Sequence, residues 1–187
     1  MDKIRIGIVG YGNLGRGVQY ASAQNADTEV VAVFTRRAPE TVKTVLPVKV
    51  EKYEDMKNYV GKIDVMILCG GSATDLPAQS AEIAGLFNTV DSFDTHAKIP
   101  EYFAALNKSA KDAGHLSAMS IGWDPGLFSL ARIYFGSSLA DGSTYTFWGK
   151  GVSQGHSDAI RRVKGVKDAR QYTVPVESAL ERVRRGE

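Results

Sequence analysis

Residues 4–15 read IRIGIVGYGNLG, a short apolar run that leads directly into a glycine-rich loop. The run, residues 4–9, has the length and the β-branched content of a buried strand, and the residues after the loop have a helical pattern. Gly10, Gly12 and Gly15 match the G-x-G-x-x-G pattern that joins the first strand and helix of a dinucleotide-binding βαβ unit. The glycines allow a tight turn, and the N–H groups that open the helix attract a pyrophosphate. The stretch therefore predicts a dinucleotide site, with a plain glycine turn as the alternative.

Apolar runs alternate with amphipathic stretches through the first two thirds of the chain. Near-continuous apolar strands between helices are typical of a parallel sheet that is covered on both faces. We predict an α/β fold, with a Rossmann-type doubly wound parallel sheet in residues 1–122. Residues 123–187 are predicted to begin a second, mixed α+β domain for substrate binding and dimerisation, incomplete at its C-terminal end. After the first helix, the predicted strands are 30–34, 48–50, 63–69, 89–93, 116–121, 145–148 and 172–176; the predicted helices are 76–86, 100–113, 127–138 and 178–185, and 153–162 is a loop that feeds a short helix.

Thr35, Arg36 and Arg37 follow the second predicted strand, where a dinucleotide fold usually has an acid that binds a ribose 2′-hydroxyl. Without that carboxylate, nothing at this position favours a free hydroxyl or repels a phosphate. A guanidinium group pairs with phosphate oxygens in bidentate fashion, and the threonine can donate one more hydrogen bond. We therefore expect NADP(H) rather than NAD(H) as the cofactor. The alternative is that the two arginines are merely solvent-exposed residues of a loop and bind no ligand.

Polar residues also follow the fourth predicted strand. Ligands of an open parallel sheet lie outside the carboxyl ends of its strands. Ser72, Ala73 and Thr74 are therefore expected beside the cofactor. Asp75 is interpreted instead as a cap of the helix that begins near Pro77.

Acids follow the last strands of the predicted sheet. Asp91, Asp94 and Asp124 are candidates for the substrate side of the site, because they end strands at the same edge. Asp124 could also be an ordinary helix N-cap. Trp123 lies beside it on a turn flanked by glycines, and this aromatic suits a pocket for an ammonium group and the carbon chain behind it.

The composition argues against several other classes of protein. A net charge of +2 with dispersed basic residues argues against nucleic-acid binding, and the apolar runs are too short to span a membrane. Cys69 is the only cysteine and no leader is visible, so we expect a soluble cytoplasmic protein. His96, His115 and His156 lack metal-binding spacing, and no serine nucleophile elbow occurs. We predict no metal site, with the chemistry carried by the nicotinamide.

Seven segments together resemble the meso-diaminopimelate D-dehydrogenases. The resemblance implies a reversible, NADP-dependent oxidative deamination of the D-centre of meso-2,6-diaminopimelate. The products would be L-2-amino-6-oxopimelate, ammonia and NADPH, in a step toward lysine and cell-wall precursors, and the full chain would be a homodimer. The segments are GIVGYGNLGRG, FTRR, GSATD, VDSFDTH, GWDPG, TFWGKGVSQGHSDAIRR and QYTVP.

The resemblance also implies roles for individual residues. Asp94 and Asp124 would be the catalytic residues and would hold the ammonium group of the reacting centre, with Trp123 and Trp148 as walls of the pocket. The residues that would bind other polar groups of the substrate are Gln154, Gly155 and Thr173. The NADP site would be lined by Gly12, Asn13, Leu14, Thr35, Arg36, Arg37, Ser72, Ala73 and Thr74, beside the glycines of the loop.

Members of the family are considerably longer than 187 residues, and the groups that grip the substrate carboxylates there lie beyond Glu187. We therefore expect either a fragment of a longer product or a truncated NADP-binding module without dehydrogenase activity. Another nicotinamide enzyme, acting on a sugar or a reduced ring, is a third hypothesis. The segments GWDPG and SQGHSDA argue against it, because sugar chemistry does not require them.

Overall fold

The first part of the chain forms a six-stranded sheet in which every neighbouring pair is parallel. The strand order is β3-β2-β1-β4-β5-β6, so the chain changes direction across the sheet between β1 and β4. That reversal is the topological switch point at which doubly wound sheets bind dinucleotides. The predicted Rossmann-type fold is confirmed. The strands are β1 (Ile4–Val9), β2 (Thr28–Thr35), β3 (Lys49–Lys52), β4 (Val65–Leu68), β5 (Asn88–Asp91) and β6 (Ser117–Ala118).

The computed structural model describes residues 2–139, 141 and 150–187, and it divides the chain into two compact units, 1–131 and 132–187. The predicted domain boundary at residue 122 stays a prediction. Four helices lie between residues 13 and 137 of the described chain, and Gly114, with a φ of 73°, ends the third of them. They are α1 (Asn13–Ala23), α2 (Asp75–Ala84), α3 (Ile99–Ala113) and α4 (Leu127–Ser137); shorter 3₁₀ turns cover Pro39–Thr41, Tyr53–Tyr59 and His96–Lys98.

Several strands are shorter than the sequence predicts. The predicted strand 116–121 is reduced to Ser117–Ala118, because Ser120 has a φ of 59° and leaves strand geometry. The predicted strand 63–69 is reduced to Val65–Leu68. The apolar runs continue past the hydrogen-bonded ladder into the loops, which is why hydrophobicity alone overestimates strand length.

Apolar side chains cover both faces of the sheet. Phe34 packs in a cluster with Met66 and Leu68, whereas Val33 packs with Ile8 in a second cluster. Adjacent residues of β2 thus point to opposite faces, as the alternation of side chains along a strand requires. The first cluster includes side chains of α2 and α3, and Val18 of α1 packs against the second, which explains why the strands read as continuous apolar runs.

The second unit holds a small antiparallel sheet of strands β7 (Gly151–Ser153) and β8 (Gln171–Thr173), with helices α5 (Gln154–Arg161) and α6 (Glu177–Arg184). The short helix predicted within residues 153–162 is present as α5, but the loop predicted before it is wrong, because α5 begins directly after β7. The hydroxyl of the buried Ser157 donates to the carbonyl of Ser153 at 2.5 Å and accepts the N–H of Gln171 at 2.9 Å, so α5 is tied to both strands. The predicted strand 145–148 lies outside the described residues.

Within the described part of the chain, no helix combines the length and the apolar character that crossing a lipid bilayer requires.

The buried ring of Phe34 predicts a large loss of stability on truncation. The side chain has no exposed surface, and its ring meets that of Tyr59 edge to face at 5.1 Å. We expect Phe34→Ala to lower the free energy of unfolding by about 3–5 kcal/mol in urea denaturation followed by circular dichroism. Tyr20→Ala, in which a ring 54% exposed is removed, is the control and should change it by about 0.5 kcal/mol or less. Equal losses in the two variants would contradict this account of the core.

Candidate functional site

The glycine loop lies between β1 and α1, at the carboxyl edge of the sheet. Gly10 has a φ of 87°, and its N–H donates to the carbonyl of Phe34 at 2.9 Å. A Cβ on Gly15 would lie 2.5 Å from the carbonyl oxygen of Gly10, so only glycine allows α1 to begin this close to the turn. Gly12 is the N-cap of α1, and no side chain caps the first N–H groups of the helix. Those groups are therefore free to bind an anion.

Asn13 and Leu14 form the exposed start of α1. Their position in the first turn places their backbone N–H groups among those that point out of the helix end. Their predicted contact with the cofactor stays a prediction.

The basic pair after β2 reaches toward two different partners. The Arg36 guanidinium donates to Asp75 Oδ1 at 2.5 Å, whereas the Arg37 guanidinium donates to the carbonyl of Tyr11 at 2.9 Å. Thr35 is buried, and its hydroxyl oxygen accepts the N–H of Arg37 at 3.1 Å. Both cations thus flank one cavity of about 570 Å³ between the glycine loop, the end of β2 and the turn after β4. Its lining residues are Gly10, Tyr11, Gly12, Thr35, Arg36, Arg37, Cys69, Gly70 and Asp75.

The interpretation of Asp75 as a helix cap is wrong. Thr74 is the N-cap of α2, without a side-chain capping bond, and Asp75 is the first helical residue. The carboxylate accepts the N–H of Gly71 at 3.0 Å and holds Arg36 across the cavity. Burial alone would raise the pKa of Asp75, but the Gly71 N–H and the Arg36 guanidinium outweigh it and hold the pKa below its usual range. The sequence did hold a signal for this ion pair: an acid follows one predicted strand, and two arginines follow another strand that ends at the same edge of the sheet.

The turn after β4 brings a predicted cofactor residue next to a predicted substrate residue. The hydroxyl oxygen of Ser72 accepts the backbone N–H of Asp94 at 3.1 Å. Ala73 and Thr74 are exposed beside it, as is the side chain of Asp94. The ends of β4 and β5 are thereby joined at the sheet edge where the cofactor is expected.

Asp91 is buried, so the expectation that it faces a substrate is wrong. Its side chain is 2% exposed, and its carboxylate accepts hydrogen bonds from two backbone N–H groups and from the hydroxyl of Tyr102. Sequence reasoning missed Tyr102, since nothing in an amphipathic helix shows which polar side chain meets a buried acid.

Asp124 and Trp123 lie on the turn that precedes α4. Because α4 begins at Leu127, Asp124 is not its N-cap, and Oδ1 of Asp124 accepts the hydroxyl of Ser129 at 2.7 Å. The Trp123 ring is stacked on Phe128 with centroids 5.5 Å apart, yet the side chain is 61% exposed. The turn therefore presents an acid and an aromatic surface together, and their part in a substrate pocket stays a prediction.

The remaining predicted substrate residues belong to the second unit. Trp148 lies outside the described residues. Gln154 and Gly155 are the first residues of α5, and Thr173 is the half-buried last residue of β8. Their roles stay predictions. Among the described residues, no group of three or more His, Cys, Asp or Glu side chains is placed to hold a metal ion.

Comparison with known proteins identifies one group of relatives. A family profile for the Diaminopimelic acid dehydrogenase C-terminal domain matches residues 122–187. The meso-diaminopimelate D-dehydrogenase of Ureibacillus thermosphaericus is 63% identical to this chain, over all 187 residues of the chain. The chain thus spans about 57% of the length of this relative.

Two solved structures resemble this chain closely. The Corynebacterium glutamicum DAP dehydrogenase in complex with DAP is 48% identical with a TM-score of 0.88; the match covers 100% of this chain and 57% of the other. An engineered D-amino acid dehydrogenase bound to NADP+ is 46% identical with a TM-score of 0.86, over 99% of this chain and 57% of the other. The resemblance seen in the sequence is confirmed: the chain is related over its whole length to the meso-diaminopimelate D-dehydrogenases.

The close approach of α1 to the glycine loop predicts opposite effects for two neighbouring glycines. We expect Gly15→Ala to lower the free energy of unfolding by about 1–3 kcal/mol, because its Cβ would meet the Gly10 carbonyl. Gly17 lies in the same helix with nothing within 4 Å of a Cβ, so Gly17→Ala should raise stability by about 0.5–1 kcal/mol. Urea denaturation measures both. Equal effects would show that the helix does not press on the loop.

Proposed function

We propose that this chain, a relative of the meso-diaminopimelate D-dehydrogenases over its whole length, binds NADP(H) and carries the redox half of such an enzyme. The proposed reaction is the reversible oxidative deamination of the D-centre of meso-2,6-diaminopimelate. The observation that carries the proposal is the cavity that the glycine loop shares with the paired arginines after β2. A cytoplasmic location and a homodimer of the full chain are part of the proposal and follow from the resemblance.

The choice of NADP(H) rests on the charges around that cavity. The uncapped first turn of α1 suits the pyrophosphate, whose two negative charges need N–H donors. Among its described bonds, the Arg37 guanidinium donates only to a carbonyl, so its charge is not neutralised there by an acid and is available to a 2′-phosphate. Arg36 is held by Asp75 at the opposite wall, where it closes the same cavity. A free ribose hydroxyl would leave the Arg37 guanidinium without an anionic partner among its described contacts.

The substrate side of the proposal rests on two acids. When bound, NADP+ accepts a hydride from the carbon that carries the amine. Asp94, hydrogen-bonded through its N–H to Ser72, is placed at the sheet edge beside the cofactor turn. Asp124, bonded to Ser129, presents a second carboxylate beside the exposed face of Trp123. We propose that these carboxylates hold the substrate ammonium group and orient its C–H bond, since orientation supplies a large part of a barrier reduction.

The second candidate is an NADP-binding module without turnover. It is supported by the cavity beside the glycine loop, whose lining can bind a cofactor without any substrate group. Incubation with meso-diaminopimelate and NADP+, followed by NADPH absorbance, separates the two candidates. NADPH formation supports the dehydrogenase, and cofactor binding without NADPH formation supports the module.

Removal of the Arg37 guanidinium should change cofactor preference. We expect Arg37→Ala to raise the Kd for NADPH about tenfold or more, because a charge-assisted bond to the 2′-phosphate is lost. The Kd for NADH should change by about twofold or less, since NADH lacks that phosphate. Titration of NADPH and NADH fluorescence measures both constants. Lys111→Ala removes an exposed cation of α3 and is the control. Parallel losses for the two cofactors would argue that the arginine only stabilises the loop.

Loss of one carboxylate charge should separate turnover from cofactor binding. We expect Asp124→Asn to lower kcat for meso-diaminopimelate about 100-fold, with the NADPH Kd unchanged, because the amide cannot pair with an ammonium group or accept its proton. Asp112→Asn, in an exposed ion pair with Lys108 on α3, is the matched control. Equal losses of turnover and NADPH affinity would refute the role of Asp124.

A further inference from the structure

We propose that Asp91 is a positioning residue, which holds the loop that carries Asp94 against the turn that carries Trp123 and Asp124. The inference rests on the proposed function, because the proposed function assigns substrate binding to Asp94, Trp123 and Asp124. Asp91 itself is 2% exposed and is not placed to touch a substrate.

One oxygen of the Asp91 carboxylate joins two loops. Oδ1 accepts the backbone N–H of Phe93 at 2.9 Å and that of Ser120 at 3.1 Å. The backbone carbonyl of Asp91 also accepts the N–H of Ile121 at 2.8 Å. The end of β5 is therefore bonded to the segment that follows β6 through two N–H groups, those of Ser120 and Ile121, and to its own loop through that of Phe93.

The other oxygen fixes the carboxylate to the helices behind the sheet edge. Oδ2 accepts the hydroxyl of Tyr102, on α3, at 2.6 Å, and the Tyr102 oxygen lies 2.6 Å from the hydroxyl oxygen of Ser80, on α2. Burial, helped by the bond to Asp91, raises the pKa of Tyr102 well above its usual range, so the phenol keeps its proton and remains a donor. The carboxylate thus has a fixed orientation relative to two helices.

Further contacts carry this orientation to the candidate site. The hydroxyl of Ser120 donates to the carbonyl of Phe93 at 2.9 Å, and the Phe93 ring stacks on Tyr102 with centroids 4.0 Å apart. A Cβ on Gly122 would lie 3.4 Å from Cβ of Ser92, so the two loops are in direct contact. The N–H of Gly122 donates to the carbonyl of Pro125 at 3.1 Å, which closes the turn around Trp123 and Asp124.

Burial of a carboxylate is unfavourable unless hydrogen bonds replace its hydration, and here three donors do so. The donors in the loops are backbone N–H groups of residues adjacent to Asp94 or within three positions of Trp123. A hydrogen-bonded junction resists sliding of one loop past the other, because its bonds are directional, whereas apolar contacts are not. Asp91 therefore sets the spacing between the two acids proposed to hold the substrate.

Two substitutions separate this role from packing alone. Asp91→Ala removes every acceptor of the side chain. Asp91→Asn keeps Oδ1 for Phe93 and Ser120, while its amide can donate to the Tyr102 oxygen as the Tyr102 hydroxyl donates to Ser80. We expect the asparagine variant to restore the junction that the alanine variant loses.

Hydrogen exchange of single amides, followed by NMR on the whole chain, tests the junction without a ligand. We expect Asp91→Ala to speed exchange at Phe93 and Ser120 about tenfold or more, with Asp91→Asn within about threefold of the unsubstituted chain. The amides of Ile8 and Val9 in β1 are the internal reference and should not change. Unchanged exchange at Phe93 and Ser120, or an equal increase in β1, would overturn the proposal.

If the alanine variant does not fold, Tyr102→Phe tests the positioning role of Asp91 in its place. It removes the hydroxyl that donates to Oδ2 and contacts Ser80, so exchange at Phe93 and Ser120 should again rise while the amides of β1 keep their rate. Unchanged rates at Phe93, Ser120 and β1 would overturn the proposal.

The enzymatic assay keeps this inference distinct from the proposed function. Failure of the unsubstituted chain to bind NADPH would refute the proposed function, while the exchange rates would still decide the role of Asp91. In a chain that turns over, Asp91→Ala should lower kcat/KM for meso-diaminopimelate about tenfold or more, with the NADPH Kd within about twofold. Asp91→Asn should recover most of that loss. Full activity of the alanine variant would overturn the positioning role.

Discussion

The contact between the start of α1 and the turn after β1 is the constraint on which the rest of this structure depends. Because Gly15 has no side chain, α1 can begin in contact with the Gly10 carbonyl. The first N–H groups of the helix therefore lie at the carboxyl edge of the sheet. The strand order changes direction at the same point, so no neighbouring connection covers that edge. The cavity, the arginines that flank it and the acids beyond it are all arranged around this one close approach.

Much of the fold could be predicted because it depends on local patterns. Strand β1 has its predicted bounds, and Gly114 ends α3 where a left-handed residue is needed. The end of β6 could not be predicted, because it depends on the φ of Ser120 and on bonds to Asp91, a residue distant in sequence. Strand termination there is a tertiary effect that hydrophobic periodicity does not register.

The candidate site shows the same division between what is local and what is not. The residue types at the strand ends were readable, and the glycine loop lies next to the arginine pair as expected. The exposure of each acid was not readable, so Asp91 and Asp94 looked equivalent although only Asp94 is exposed. Likewise, the pairing of Asp75 with Arg36 joins residues from opposite sides of the switch point. Such pairings depend on the strand order of the sheet, because the two residues are far apart in the sequence.

The cavity beside the glycine loop includes a thiol, that of Cys69, directly after β4. Loss of hydration raises the pKa of this thiol to about 12, so it stays protonated at neutral pH. Alkylating agents and peroxides react with the thiolate form, and a thiol held in this state reacts with them slowly. The thiol of this cleft is therefore expected to be modified by such reagents more slowly than a fully exposed cysteine with an ordinary pKa.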